Sequence, residues 1–431
     1  MSIFSRPREP HRSATSLASR WASTLAIACL ACSANAQTVS LPPSLKQALA
    51  AAWQLSASSR AESNRRSELA AKEKAATGWI SGEPVASIAH RTDRLNRNDG
   101  FRELEAEIEL PLWSPGVRTA TQADVAAQRQ GFDAQFRLSK LKLAGELRGL
   151  AASAASAQVE LDLNTRKLQD AKALAQDLGR RVKAGENARV DDLQAQVQVQ
   201  QAQAATAQAE SQLARLQNQW RSLTGMATVA ALDETLDETL NDTLSSRVPA
   251  HPSVSPDHPA LRHAQAQLSG VRAKLTLAEV DKRDPMSLGV GVARERSAFA
   301  ASTETKLRVM LRIPLGGDNR NAPRQAAARA ELDAAQAEAD GVQRQLPAEL
   351  AAATFDLRAA RAAQAAAQQR LRLSTEVQAL INKSWQLGNS DLPSRLRADN
   401  DQFEARLSLA KASVEVQRAI ANLNQANGYL P

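Results

Sequence analysis

The chain has 431 residues, of which 43% are hydrophobic and only 3% aromatic, and it carries a formal charge of +8 at pH 7. Its basic and acidic residues are interspersed, and few aromatic side chains are available to stack on bases, so the composition argues against nucleic-acid binding. Both cysteines, Cys29 and Cys32, lie near the N-terminus, so the rest of the chain has no disulfide framework.

Residues 1–36 have the pattern of a secretory signal peptide. An apolar stretch from Trp21 to Cys32 precedes Ala34-Asn35-Ala36, a small-residue cleavage site. Four basic residues form the region before it: Arg6, Arg8, Arg12 and Arg20. In an alternative interpretation Cys32 carries lipid, although the preceding residues lack the usual aliphatic side chain. No later apolar run approaches the roughly 20 residues of a membrane-spanning helix, so any membrane crossing must use strands.

Three pairs of turn-forming residues recur in the same register along the chain, 203 positions apart. These pairs are Pro111 and Pro314, Gly185 and Gly388, and Gly225 and Gly428. Such regular punctuation is typical of an internal duplication. The sequence therefore predicts two structural repeats after the signal peptide, residues 37–250 and 251–431.

Each repeat is predicted to contain a long α-hairpin. From Thr119 to about Val182, and again from Ala322 to about Trp385, the sequence is rich in Ala, Gln, Leu, Arg and Glu, which favour helices. A helix of this length extends about 100 Å, too far for an ordinary globular core. Pro347 is expected to kink the second helix locally. The chain then turns at Gly185 or Gly388, and a shorter helix returns.

Asn187, or one of Asn389, Ser390 and Asp391, is expected to cap each returning helix. These residues directly follow the two predicted turns, and their short polar side chains can accept from free amide groups at a helix N-terminus.

Strict alternation predicts a strand before each long helix, within strand pairs at about 84–112 and 285–315. Between residues 103 and 110, Leu104 and Ile108 are among the apolar residues of one face. The other face carries Glu103, Glu105, Glu107 and Glu109. The second repeat places Lys306, Arg308 and Arg312 on the equivalent face. This pattern favours a strand with one apolar and one watery face, while a plain soluble sheet and a metal site remain alternatives.

Four such strands per chain cannot close a barrel. A sheet with an apolar face in lipid must close, because each backbone group needs a partner. Several copies of the chain would therefore have to contribute strands to one charged lumen.

The mature chain resembles the TolC-type outer-membrane efflux factors over essentially its whole length. The resemblance depends on the repeat, on Pro111-Leu112 and Pro314-Leu315, on the two turn glycines, on His258-Pro259-Ala260-Leu261 and on the closing residues 423–431. It implies a mainly α protein with a small β part. In a homotrimer, the strands would form a 12-stranded transmembrane β-barrel and the hairpins a periplasmic tunnel.

The resemblance also implies location, partners and chemistry. The protein is expected in the outer membrane of a Gram-negative bacterium, in contact with lipid and extending into the periplasm. It would dock to a periplasmic adaptor and an inner-membrane, RND-like pump, with no catalysis and no cofactor. Residues 226–257 would form a linker around the outside of the tunnel at mid-height.

The family comparison further implies two functional regions at the turns. Adaptor docking is expected at the tips, which comprise Gly185, Glu186, Asn187, Gly388, Asn389 and Ser390. Asp191 and Trp385 occupy the positions of a contact that closes the periplasmic gate, although Asp191 is also explained as an exposed carboxylate that favours a helix start. The acidic ring of the best-studied exporters is absent, because Ser394 and Arg397 stand in its place.

Several other functions fit the sequence less well than the exit duct of an efflux pump. His251, His258 and His263 suggest a metal site, but the prolines between them favour a solvated loop. A periplasmic adaptor would have one hairpin between compact β domains, and a coiled-coil scaffold would not explain the alternating strands. The sequence shows no nucleophile–base set, no metal-spaced cluster and no phosphate loop of an enzyme.

Overall fold

The structure is a computed structural model that describes residues 43–236 and 254–431. The predicted signal peptide, Cys32 and His251 lie outside these ranges. The helices are α1 (Leu45–Leu55), α2 (Ala57–Thr77), α3 (Val117–Lys183), α4 (Arg189–Thr224), α5 (Pro259–Val280), α6 (Asp318–Gln386) and α7 (Leu392–Ala426). The strands are β1 (Val85–Thr92), β2 (Arg102–Leu112), β3 (Met286–Arg296) and β4 (Glu304–Arg312). Among the described helices, none is both long and apolar enough to cross a membrane.

The order of elements repeats as the sequence predicts: two strands, a long helix, a tight turn and a shorter returning helix. The long helices α3 and α6 contain 67 and 69 residues. At about 1.5 Å per residue, each extends about 100 Å. Helix α6 runs through Pro347 without ending, although a proline there removes one backbone hydrogen bond.

Helices α3 and α4 form one hairpin and helices α6 and α7 the other, and the two contact each other through α3 and α7. More than half of the buried apolar residues in the described ranges are alanines, which let helices approach closely. Larger buried side chains form separate clusters, one around Leu147 and Trp220 and another around Leu357 and Leu423. The core is therefore distributed along the hairpins.

Glycines end both long helices in the left-handed conformation, with φ of 79° at Gly185 and 75° at Gly388. Asp391 caps α7, and its side chain accepts a hydrogen bond from the Ser394 amide at 3.1 Å. The predicted cap at Asn187 is wrong. Helix α4 begins after Ala188, which makes no side-chain capping bond, and the Asn187 amide donates instead to Asp191 at 3.2 Å.

The four strands form one antiparallel sheet in the order β1-β2-β3-β4. In its register Glu107 lies opposite Gly291, which lies opposite Arg308. Pairing of β2 with β3 joins the two repeats, so the chain builds one sheet rather than two hairpins. The predicted strand regions are confirmed in position and in pairing within each repeat.

The described parts of the linker, residues 226–236 and 254–257, lie against the helices. Ala230 is buried in the cluster around Trp220, and Leu236 and Val254 pack against the cluster around Leu357. The solvated-loop interpretation of His258 is wrong, because its side chain is 3% exposed. The His258 Nδ1 accepts from the Ala260 amide at 3.2 Å and caps α5.

Candidate functional site

Ion pairs connect neighbouring and alternate strands across the charged face of the sheet. Arg308 on β4 pairs with Glu105 on β2, and Arg312 lies 3.3 Å from Glu109. Two further ion pairs join adjacent strands, Lys306 with Glu295 at 2.7 Å and Arg91 with Glu103 at 3.4 Å. Arg308 and Arg312 of the second repeat thus reach across β3 to carboxylates of the first repeat. The carboxylates of β2 are less exposed than the apolar residues between them.

A lane of small residues on β3 makes the long reach from β4 to β2 possible. Gly291 and Gly289 lie on the charged face between the two charged strands. A Cβ at Gly291 would stand 2.9 Å from the Ala106 carbonyl oxygen, and one at Gly289 would clash with the Glu107 carboxylate. The sequence analysis missed this lane, although small and apolar residues alternate from Ser287 to Ala293 and could have identified it.

The opposite face of the sheet is apolar and exposed. Ile88, Leu307 and Val309 are 80%, 74% and 65% exposed. Other apolar residues of this face are at least 43% exposed: Leu104, Ile108, Val290, Val292 and Leu311. Soluble sheets bury such a face against a core. This one is available to lipid or to a partner.

Both outer edges of the sheet remain open within the described ranges, since β1 pairs only with β2 and β4 only with β3. Each edge strand has eight or nine residues and presents unpaired backbone donors and acceptors. A strand from another copy could complete each edge.

The two predicted tips each present a tight turn, and Gly185 and Gly388 have no neighbouring atom within 4 Å of a hypothetical Cβ. Glu186 and Asn389 are exposed beside them, whereas Asn187 and Ser390 are half-buried. A small cluster of Leu178, Ala195 and Leu392 packs just behind the turns. It draws residues from both hairpins, so the structure brings the two tips to the same end.

Asp191 and Trp385 lie near this cluster but have different contacts. Asp191 accepts a hydrogen bond from the Asn187 side chain. The guanidinium groups of Arg181 and Arg395 lie over the Trp385 ring, 5.0 Å and 4.1 Å from its centroid. Among the described hydrogen bonds of the single chain, none joins Asp191 to Trp385. Sequence reasoning missed both arginines, which are brought to the ring from α3 and from α7.

Burial lowers the pKa of Arg395 from its usual value, and the nearby carboxylates of Asp399 and Asp177 oppose this shift. The Arg395 Nε lies 3.7 Å from Asp399. A guanidinium stays protonated in proteins, so the contact of Arg395 with the indole face is a cation–π interaction.

A buried ion pair lies near the middle of α3, where the shorter returning helix α7 ends. Arg148 on α3 is 2% exposed, and its Nε is 2.8 Å from a carboxylate oxygen of Glu234 in the linker. The Arg148 Nη1 also donates to Gln425 Oε1 at 2.6 Å and to the Tyr429 carbonyl at 3.0 Å. The second Glu234 oxygen accepts from Asn424 at 2.9 Å. We call Arg148, Glu234, Asn424 and Gln425 the polar clasp.

No group of three or more potential metal ligands occurs within residues 43–236 and 254–431. His263, the other described histidine of the suggested metal set, lies 3.4 Å from the Gln267 amide through its Nε2. Three of the β2 glutamates, Glu103, Glu105 and Glu109, are paired with cations.

Comparison with known proteins supports one family. The family model for outer membrane efflux proteins matches residues 255–429. Protein CyaE of Bordetella pertussis is 29% identical over 337 residues, which cover 72% of this chain and 67% of that protein.

Two solved structures share the fold. A membrane protein from Pseudomonas aeruginosa matches with a TM-score of 0.70 at 17% identity, covering 90% of this chain and 91% of that one. The outer membrane protein VceC from Vibrio cholerae matches with a TM-score of 0.68 at 14% identity, covering 89% and 96%. These likenesses confirm the predicted fold class of the chain.

Proposed function

We propose that this chain forms the outer-membrane exit duct of a tripartite efflux pump, because the outer membrane efflux protein model matches residues 255–429 and protein CyaE is 29% identical over 337 residues. Its location is the outer membrane of a Gram-negative bacterium, and it extends into the periplasm. The protein is a channel and not an enzyme. In the proposal it is a passive conduit, which receives its cargo from an inner-membrane pump through a periplasmic adaptor.

The main support for this proposal is the sheet, which has one apolar and one charged face. Its apolar face is exposed, most of the charges on its other face are paired, and each strand pair is followed by a helix about 100 Å long. In lipid the apolar face would be buried and the charged face would line water, as alternation in a transmembrane barrel requires. The open edges at β1 and β4 would then pair between copies, and three copies would supply twelve strands.

The helices support association of copies as well. Near the tips, exposed apolar residues recur at helical spacing on α4 and on α6. They are Val190, Leu193 and Val197 on α4, and Leu373, Val377 and Leu380 on α6. Both stripes begin within a few turns of the tip glycines, so the α4 stripe of one copy would meet the α6 stripe of the next at similar height. This arrangement favours the proposed homotrimer.

The tips are the proposed docking and gating end. Gly185 and Gly388, with the neighbouring residues Glu186, Asn187, Asn389 and Ser390, would contact the adaptor. Asp191 and Trp385 would contribute to the closed gate. In a single chain these two residues have other partners, so their contact would have to form between copies of the chain.

The alternative of a periplasmic adaptor is less compatible with the described residues. An adaptor would have one hairpin, whereas this chain has two hairpins joined through one four-stranded sheet. A coiled-coil scaffold would have no reason to expose an apolar sheet face.

Cysteine scanning across β2 tests the proposal. After removal of the signal peptide the chain has no cysteine, so each introduced thiol is the only one. Single cysteines from Arg102 to Leu110 are exposed to a membrane-impermeant thiol reagent in cells. We expect labelling at odd-numbered positions, together with a heat-resistant trimer in the outer-membrane fraction. Labelling at even-numbered positions would invert the faces, and uniform labelling without a trimer would refute the barrel.

A further inference from the structure

The charged face of the sheet has more carboxylates than cations. By register, the described strands place six carboxylates and four cations on this face. The carboxylates are Glu103, Glu105, Glu107, Glu109, Glu295 and Glu304, and the cations are Arg91, Lys306, Arg308 and Arg312. If the face lines a lumen, as the proposed function holds, the lumen carries a negative excess in each copy.

Glu107 differs from the other five carboxylates. Each of the others lies within ion-pair distance of a cation, and Glu295 and Glu304 share Lys306. Within the described ranges Glu107 has no such partner. Its Oε1 is enclosed and accepts no hydrogen bond, and the side chain lies over Gly289 in the small-residue lane.

Pairing decides how far each charge acts. A carboxylate about 3 Å from a guanidinium behaves as a dipole, whose field falls off faster with distance than that of a single charge. The remaining excess at Glu304 lies at a strand end with 67% of its side chain exposed, where salt screens it. Glu107 lies in the middle of β2, where low-dielectric walls would concentrate its field in the lumen.

We propose that Glu107 is the main determinant of ion selectivity in the duct, and that it makes the pore prefer inorganic cations to anions. In an assembly of several copies the Glu107 residues form a ring at one height. The small-residue lane is part of this arrangement, because a larger residue at Gly289 would displace the Glu107 carboxylate. The inference rests on the proposed function, but it assigns selectivity to the sheet and not to the helical tips.

Reversal potentials in planar bilayers, measured with purified protein across a KCl gradient, test the proposal. The wild-type channel is expected to favour K⁺ over Cl⁻. Glu107→Gln should lower the permeability ratio by about two-fold or more, because it removes one uncompensated charge per copy. Glu107→Asp should retain the preference. Glu62→Gln on α2 removes the same charge outside the sheet and serves as the control.

Chemical modification provides an independent arm if the Gln variant does not assemble. Glu107→Cys is labelled in the assembled channel with a sulfonate-bearing or an ammonium-bearing methanethiosulfonate. The anionic label should restore the cation preference and the cationic label should lower it further. An unchanged ratio in Glu107→Gln, an equal fall in Glu62→Gln, or equal effects of the two labels would overturn the proposal. Wild-type protein that forms no channel would instead refute the proposed function.

Discussion

Removal of Arg148 should destabilise the protein more than removal of any exposed ion pair. In the polar clasp the guanidinium is 2% exposed and the Glu234 carboxylate 9% exposed, so neither can turn to water. Arg148→Met would leave Glu234 buried with Asn424 as its remaining partner and would also free the Gln425 and Tyr429 carbonyl oxygens. Breaking a buried pair in this way costs about 3–5 kcal/mol.

The second partner separates the charge effect from the loss of packing. In Arg148→Met/Glu234→Gln neither buried charge remains, so we expect the double variant to recover a large part of the lost stability. A coupling free energy of about 1–3 kcal/mol between the two positions would show that the pair acts as a unit.

The chain offers a matched control for this experiment. Lys411 on α7 lies 2.7 Å from Glu160 on α3, so this pair joins the same two helices as the clasp. Both side chains are more than 40% exposed, and Lys411→Met should cost less than about 1 kcal/mol.

The assay is urea-induced loss of the heat-resistant assembly in detergent, followed by gel mobility and by tryptophan fluorescence. Trp220 is fully buried near the clasp and reports local unfolding. Equal effects of Arg148→Met and Lys411→Met would refute the reasoning.

Three further predictions concern the tips and the histidine cap. Gly185→Val and Gly388→Val should each impair efflux at normal protein level, because a β-branched side chain at positive φ strains the turn. Normal efflux in the double variant would exclude a docking role. Asp191→Ala with Trp385→Ala should raise leak of large antibiotics, and unchanged single-channel conductance would remove the pair from the gate. Burial lowers the pKa of His258, so the unfolded state binds the proton more readily than the folded state. The free energy of unfolding should therefore fall as pH drops below about 6.5. His258→Asn should make the free energy of unfolding less dependent on pH in this range.

Periodicity in the sequence predicts the hairpins and the strands of the fold. The repeated glycines predicted both hairpins, because positive φ at a turn is costly for other residues. Alternation predicted the strands and the two faces of β2. It did not reveal that the two strand pairs join through β2 and β3, since register between distant strands depends on side chains of both repeats.

Side-chain contacts between distant segments could not be predicted in the same way. Arg148 stands in an alanine-rich helix with no local signature, and its partners lie 86 and 277 positions away. His258 looked like part of a polar loop, because the sequence does not show that the C-terminal turn covers it. At Asn187 the error has a local cause. The glycine turn takes one more residue before the helix starts, so the amide side chain lies beside Asp191 and not at the cap.

The distribution of apolar surface links folding of this chain to its assembly. Within residues 43–236 and 254–431 of a single chain, the sheet's apolar face, its two edges and the stripes on α4 and α6 have no partners. In the proposed assembly, lipid or another copy would complete each of these surfaces, so a large part of the stabilising free energy would come from association. Stability should therefore rise with protein concentration in detergent, and substitutions in the stripes should weaken the assembly before they disturb the hairpins.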